Sequence, residues 1–75
     1  MSTLPRISGR QVVLALAKIG YEFDRQLGSH IILRNPRPPY RRMVVPDHKE
    51  IAKGTMRGIV REAGLTVAEF VELLQ

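Results

Sequence analysis

His30 follows directly on Gly28-Ser29 and opens the run His30-Ile31-Ile32-Leu33-Arg34. A free imidazole titrates near pH 6.5, and a positioned one accelerates proton transfer by roughly 10² to 10⁴. On an extended chain with a period of two, His30, Ile32 and Arg34 share one face, opposite Ile31 and Leu33. Arg41 and Arg42 follow on the next strand, so a phosphate beside His30 would meet several guanidinium groups. With two histidines and no cysteine the chain is poorly supplied for a metal site, and no cofactor is expected. A proton-transferring imidazole beside a phosphate clamp suits cleavage of a phosphodiester that carries its own nucleophile. RNA has one in its 2′-hydroxyl and DNA does not. Cationic donors would offset the charge that builds on the phosphoryl oxygens as that hydroxyl attacks. The competing reading makes His30 a strand-edge residue satisfied by water or a neighbouring carbonyl.

Four further places bear on chemistry or binding. Lys53-Gly54-Thr55 opens a helix with Thr55 expected as its N-cap, which either serves as a cap and nothing more or, with the unpaired N–H groups there and Lys53 adjacent, forms a second anion site. His48 follows Pro46-Asp47 in a loop, where it either pins the turn through its side chain or supplies the second proton-transfer group that cleavage needs. Arg57 and Arg61, at i and i+4 on the outward face, extend the basic surface or solubilise the helix. Ile32, exposed beside Arg34 and Val44 if the alternation holds, is a docking patch for a protein partner.

The elements that would carry these residues are legible in outline. Ser8 and Gln11 form a capping box, with Ile7 and Val12 as its hydrophobic staple, and Val12, Val13, Leu16 and Ile19 fall on one helical face until Gly20 ends it. Tyr21 to Gln26 switches to a period of two, which predicts a strand with Tyr21 and Phe23 toward a core and Glu22 and Asp24 outward. Gly28-Ser29 turns the chain into a second strand from His30 to Arg34. The segment from Asn35 to Pro39 holds three prolines and cannot continue a ladder. A third strand is expected from Tyr40 to Val45, stopped by Pro46. A second helix then carries Met56, Ile59, Val60 and Ala63 on one face and closes at Gly64. Thr66 and Glu69 form another capping box, stapled by Leu65 and Phe70, for a short helix to Leu74. This order predicts an α+β fold in which helices cover one face of a three-stranded antiparallel sheet and leave the other open. The double-stranded-RNA-binding domain has the same order of elements.

The 75 residues make one expected domain, 1–75, small enough that only about 60% of the unfolded surface is buried. The formal charge is +5, and nine of the twelve basic residues are arginine, whose planar fork suits phosphate. No apolar run is long enough to span a bilayer, and the absence of cysteine fits a reducing compartment. The expectation is a soluble, cytoplasmic, non-membrane protein.

Taken together, "GSH" and "VVPDHKEIAKGTMRGIVREAGL" resemble the HicA (YcfA-like) family of toxin ribonucleases. The resemblance covers nearly the whole chain, from the Ser8 helix through Gly28-Ser29-His30 and His48 to Leu65. It implies a small double-stranded-RNA-binding-like fold, metal-independent cleavage of messenger RNA as an endoribonuclease, and growth arrest by the free protein. The catalytic histidine of the family's Gly-Ser-His turn carries over to His30. A HicB antitoxin that covers the active face is the implied protein partner. The proline-rich Asn35 to Pro39 loop departs from the shorter Asp-Gly turn of many members. Two other readings stay open beside this one: a non-catalytic RNA-binding module that uses the same basic face, and an inactive adaptor that docks a protein through Ile32 and its surroundings.

Overall fold

The computed structural model describes residues 3–75. The order is α1 (Gly9–Ala17), β1 (Glu22–Leu27), β2 (His30–Arg34), β3 (Arg42–Pro46), α2 (Lys53–Glu62) and α3 (Val67–Leu73). The three strands form one antiparallel sheet in the order β1-β2-β3. This is the expected α+β architecture of helix, three strands and two helices.

Local chemistry sets most boundaries. The Ser8 hydroxyl accepts from the Gln11 N–H at 3.2 Å while the Gln11 side chain accepts the Ser8 N–H at 2.9 Å, so two orphan donors of α1 are satisfied together. Gly20, at φ 101°, turns the chain so that the Tyr21 N–H reaches the Leu16 carbonyl at 3.2 Å. Thr66 and Glu69 repeat the capping box at the start of α3. Gly28 takes φ 59° at the first of two turn residues, the conformation a tight hairpin of this hand requires. It delivers the chain from Leu27 to His30, which face each other across the hairpin.

A single core cluster joins both layers. Val12, Ala15 and Leu16 of α1, Ile31 and Leu33 of β2, Met43 and Val45 of β3, Met56, Ile59 and Val60 of α2, and Phe70 of α3 are all buried. Ile31 and Leu33 therefore face the helices, and the alternation puts His30, Ile32 and Arg34 on the open face. On β3 the same parity buries Met43 and Val45 and exposes Arg42 and Val44.

The structure differs from expectation at three points that matter for function. Phe23 is 61% exposed, although it pairs with the buried Leu33. The helices pack over β3, on the far side of the sheet, so the β1 margin lies beyond their cover. A bulge at Asp24 then shifts the register between Phe23 and Arg25. The third strand begins at Arg42 rather than Tyr40, because Tyr40 takes φ 60° and belongs to the loop. Thr55 is not the N-cap of α2: the cap is Ala52, which offers no side-chain acceptor, so Thr55 sits in the first turn.

Candidate active site on the open sheet face

The open face is built as three cross-strand rows. At one end Leu27, His30 and Pro46 lie side by side, in the middle Arg25, Ile32 and Val44, and at the other end Glu22, Arg34 and Arg42. His30 is exposed at the mouth of the hairpin. It shares its face with Arg34 and Arg42, and four residues of strand separate the rows, about 13 Å at 3.3 Å per residue.

The guanidinium groups of this face do not stand alone. Arg42 Nη1 donates to Asp24 Oδ2 at 2.8 Å, and Arg25 Nε lies 3.5 Å from the same oxygen. These contacts, the Arg42 hydrogen bond above all, hold the Asp24 carboxyl below the usual carboxylate range. The bulge at Asp24 makes this possible, since the extra residue turns its carboxylate toward β3. Arg34 meets Glu22 more loosely, at 3.8 Å, with both side chains more than half exposed. Such a pair holds little energy and yields readily to a closer anion. Arg42 is thus a braced donor and Arg34 a movable one.

Arg41 does not join them. Its parity is opposite to that of Arg42, and Nη1 donates to the Glu62 carbonyl at 2.6 Å, satisfying one of the orphan acceptors at the end of α2. The expected Arg41-Arg42 clamp is therefore split across the sheet, with only Arg42 beside Arg34.

The His30 end is stiffened by a polar network that spacing alone does not reveal. Asp47 donates its N–H to the Ser29 carbonyl at 2.7 Å, tying the loop after β3 to the hairpin turn. The Asp47 carboxylate accepts from Gln26 Nε2 at 3.0 Å and from Arg10 Nε at 3.3 Å. These hydrogen bonds, Arg10 first, depress the Asp47 carboxyl below its ordinary range. Asp47 is therefore committed to Arg10 and Gln26. His48 lies exposed in the same loop, and its backbone carbonyl, rather than its ring, fixes the turn by accepting the Gly9 N–H at 2.9 Å. Its imidazole thus stays in solvent at the His30 end of the sheet.

Lys53 and Thr55 are exposed in the first turn of α2, which six residues separate from the end of β3 beside His30. With Ala52 as cap, no side chain among the described residues caps the first N–H groups of that helix. Among the described residues no three His, Asp or Glu side chains converge to hold a metal ion, and no helix is long and apolar enough to cross a membrane.

Alternation already sends Glu22 and Asp24 outward, and Arg25, brought opposite Ile32 by the register shift, is the member of this face that patterning overlooks. Its place rests on cross-strand register, for which a run of six residues gives no signal by itself. A comparison with curated proteins finds no match. The family model described as the HicA toxin of bacterial toxin-antitoxin systems matches residues 9–65, which takes in α1, the whole sheet, the His30 turn and α2, and the chain accordingly belongs to the HicA toxin family.

Proposed function

We propose that this toxin is a metal-independent messenger-RNA endoribonuclease in which His30 transfers the proton. The observation that carries the reading is an exposed imidazole at the mouth of the hairpin, on the same open face as Arg34 and Arg42. Neutral His30 takes the proton of a 2′-hydroxyl, and the freed oxygen attacks the adjacent phosphorus. The P–O5′ bond breaks, leaving a 2′,3′-cyclic phosphate on one fragment and a 5′-hydroxyl on the other once the leaving oxygen gains a proton. His48 or water supplies that proton. Arg34 and Arg42, about 13 Å along the face from His30, bind phosphates next to the scissile one and hold the strand in register with the imidazole. Lys53 and the open first turn of α2 at Thr55 hold a further phosphate of the same strand. Arg41, bound to α2, contributes to the field around the RNA rather than to its contacts.

The antitoxin is read as a HicB-type protein that seats on the open face. Val44, 52% exposed, and Ile32 in the middle row, with Leu27 beside His30, form an apolar strip across the face that suits a protein partner. A chain of this kind acts in the cytoplasm, as one domain.

The test compares the parent with His30→Ala on a single-stranded RNA and on its all-deoxy equivalent, in the presence of a chelator. The expected result is cleavage of RNA alone, reduced at least a hundred-fold in the variant, with a cyclic phosphate on the product. Equal cleavage by His30→Ala, or cleavage of the DNA, refutes the assignment. RNA binding without any cleavage by the parent would leave a binding module instead.

A further inference from the structure

The far end of the open face carries a niche of about 260 Å³ lined by Arg34, Asn35, Pro36, Tyr40 and Arg42. We propose that this niche is a nucleobase subsite, in which Tyr40 stacks on a base and Arg34 and Arg42 hold its phosphate. The inference rests on the reading of the toxin as an RNA-cleaving enzyme and adds to it a place where the strand is gripped away from the cut.

Four observations point there. Tyr40 is 66% exposed, so a large ring is offered to solvent at the rim of a charged face. Its backbone sits at φ 60°, a region that costs a side chain roughly 1 to 2 kcal/mol and that glycine adopts freely. The core makes no demand on the Tyr40 side chain, because the ring is outside. The loop is nonetheless fixed: the Tyr40 N–H donates to the Arg37 carbonyl at 2.7 Å, the Asn35 N–H to the Arg41 carbonyl at 2.9 Å, and the Arg37 N–H to Asn35 Oδ1 at 3.0 Å. A strained, anchored, outward aromatic is the kind of feature that marks a ligand contact.

The chemistry of the walls selects the ligand. The volume is below the roughly 300 Å³ at which pockets for drug-sized molecules begin, and suits one flat ring. Base faces stack on tyrosine and on guanidinium planes, and this is how single-stranded RNA is commonly held. Arg42, braced by Asp24 at 2.8 Å, keeps further N–H donors free for a phosphate, while Arg34 needs only to leave a 3.8 Å partner. The niche lies about 13 Å from His30 along β2. A strand stacked at about 3.4 Å per base covers that span in about four nucleotides, and an extended one in fewer.

The experiment measures binding of short single-stranded RNA by fluorescence anisotropy in a His30→Ala background, so that the probe stays whole. Tyr40→Gly should weaken binding roughly five- to hundred-fold, the size of a lost stacking contact, while the melting temperature holds or rises because the strain is relieved. Tyr40→Phe should bind within about two-fold of the parent. An RNA with one abasic position opposite the niche should bind Tyr40→Gly and its parent alike. Tight binding by Tyr40→Gly, with RNA cleavage by the His30-containing chain intact, overturns the subsite and leaves the enzyme reading standing. So does a loss shared equally by Tyr40→Phe, which would indicate the hydroxyl, or a loss that tracks a fall in melting temperature. Failure of the parent chain to bind or cleave any RNA removes both.

Discussion

Replacing Gly9 and Gly58 with alanine, one at a time, should move stability in opposite directions. Gly9 is the first residue of α1, and its N–H donates to the His48 carbonyl at 2.9 Å. A Cβ there would overlap the Pro46 carbonyl oxygen and sit 3.0 Å from its carbon and 3.3 Å from Asp47 Cα. All three are backbone atoms, so no rotamer change makes room. Overpacking of this kind costs about 1 to 3 kcal/mol. Direct overlap with a backbone oxygen belongs at the upper end of that range, about 3 kcal/mol, and a gain of up to about 1 kcal/mol in helix propensity leaves an expected net loss of about 2 kcal/mol. At this chain length each kcal/mol shifts the melting temperature by about 4–8 °C, which gives a fall of about 8–16 °C. Gly58 lies inside α2 with nothing within 4 Å of its added Cβ, so alanine there should raise the melting temperature by about 2–8 °C. Thermal unfolding followed by circular dichroism at 222 nm reads both. The reasoning fails if Gly9→Ala melts within about 3 °C of the parent, or if the two variants shift in the same direction. Because the displaced atoms belong to Pro46 and Asp47, beside the His30 turn, RNA cleavage by Gly9→Ala should also fall at temperatures where it is still folded.

Arg41→Ala and Arg42→Ala should separate stability from RNA affinity: the first removes a donor to α2 and lowers the melting temperature, the second weakens RNA binding and its salt dependence. The same pattern from both variants would refute the split. Asp24, Asp47 and Glu69 all have folded-state carboxyls depressed by hydrogen bonds, so their contributions are present above the unfolded value near 4 and are lost as pH falls through the folded values. The melting temperature should therefore be flat above about pH 5 and drop on further acidification, less steeply in Asp47→Asn, as calorimetry across that range would show. Thr66→Ala removes the hydroxyl that accepts the Glu69 N–H and should cost about 1 kcal/mol, or about 4–8 °C, in a thermal melt.

The parts of this fold that depend on neighbours in sequence are the parts a reader of the sequence recovers. Ser8 with Gln11, Thr66 with Glu69, and the turns at Gly20, Gly28 and Gly64 each solve a local hydrogen-bond or backbone problem, and the residues needed are a few positions apart. The shared face of His30, Ile32 and Arg34 follows in the same way from strand alternation. What escapes is whatever depends on register between strands or on which element covers which. Phe23 has the right parity for the core but lies on β1, while α1 and α2 pack chiefly over β3. Arg41 and Arg42 are adjacent in sequence and opposite in direction, and the parity of β3, with Met43 and Val45 buried, puts only Arg42 on the open face while Arg41 reaches α2. Thr55 reads as a helix cap because threonine so often is one, but the helix starts earlier, at Lys53. The pairing of Asp24 with Arg42 spans two strand crossings and a bulge, and nothing in a one-dimensional pattern encodes it.

The bulge at Asp24 also bears on how the molecule behaves in a crowd. β1 is one of the two edge strands, and a regular edge with exposed Phe23 and Leu27 would offer an unfilled row of amides to any passing chain. One extra residue breaks the repeat of that row, and the charges of Asp24 and Arg25 flank the break. A newcomer could not stay in step for more than two or three residues. The irregularity that braces Arg42 thus also discourages edge-to-edge self-association of the toxin at β1.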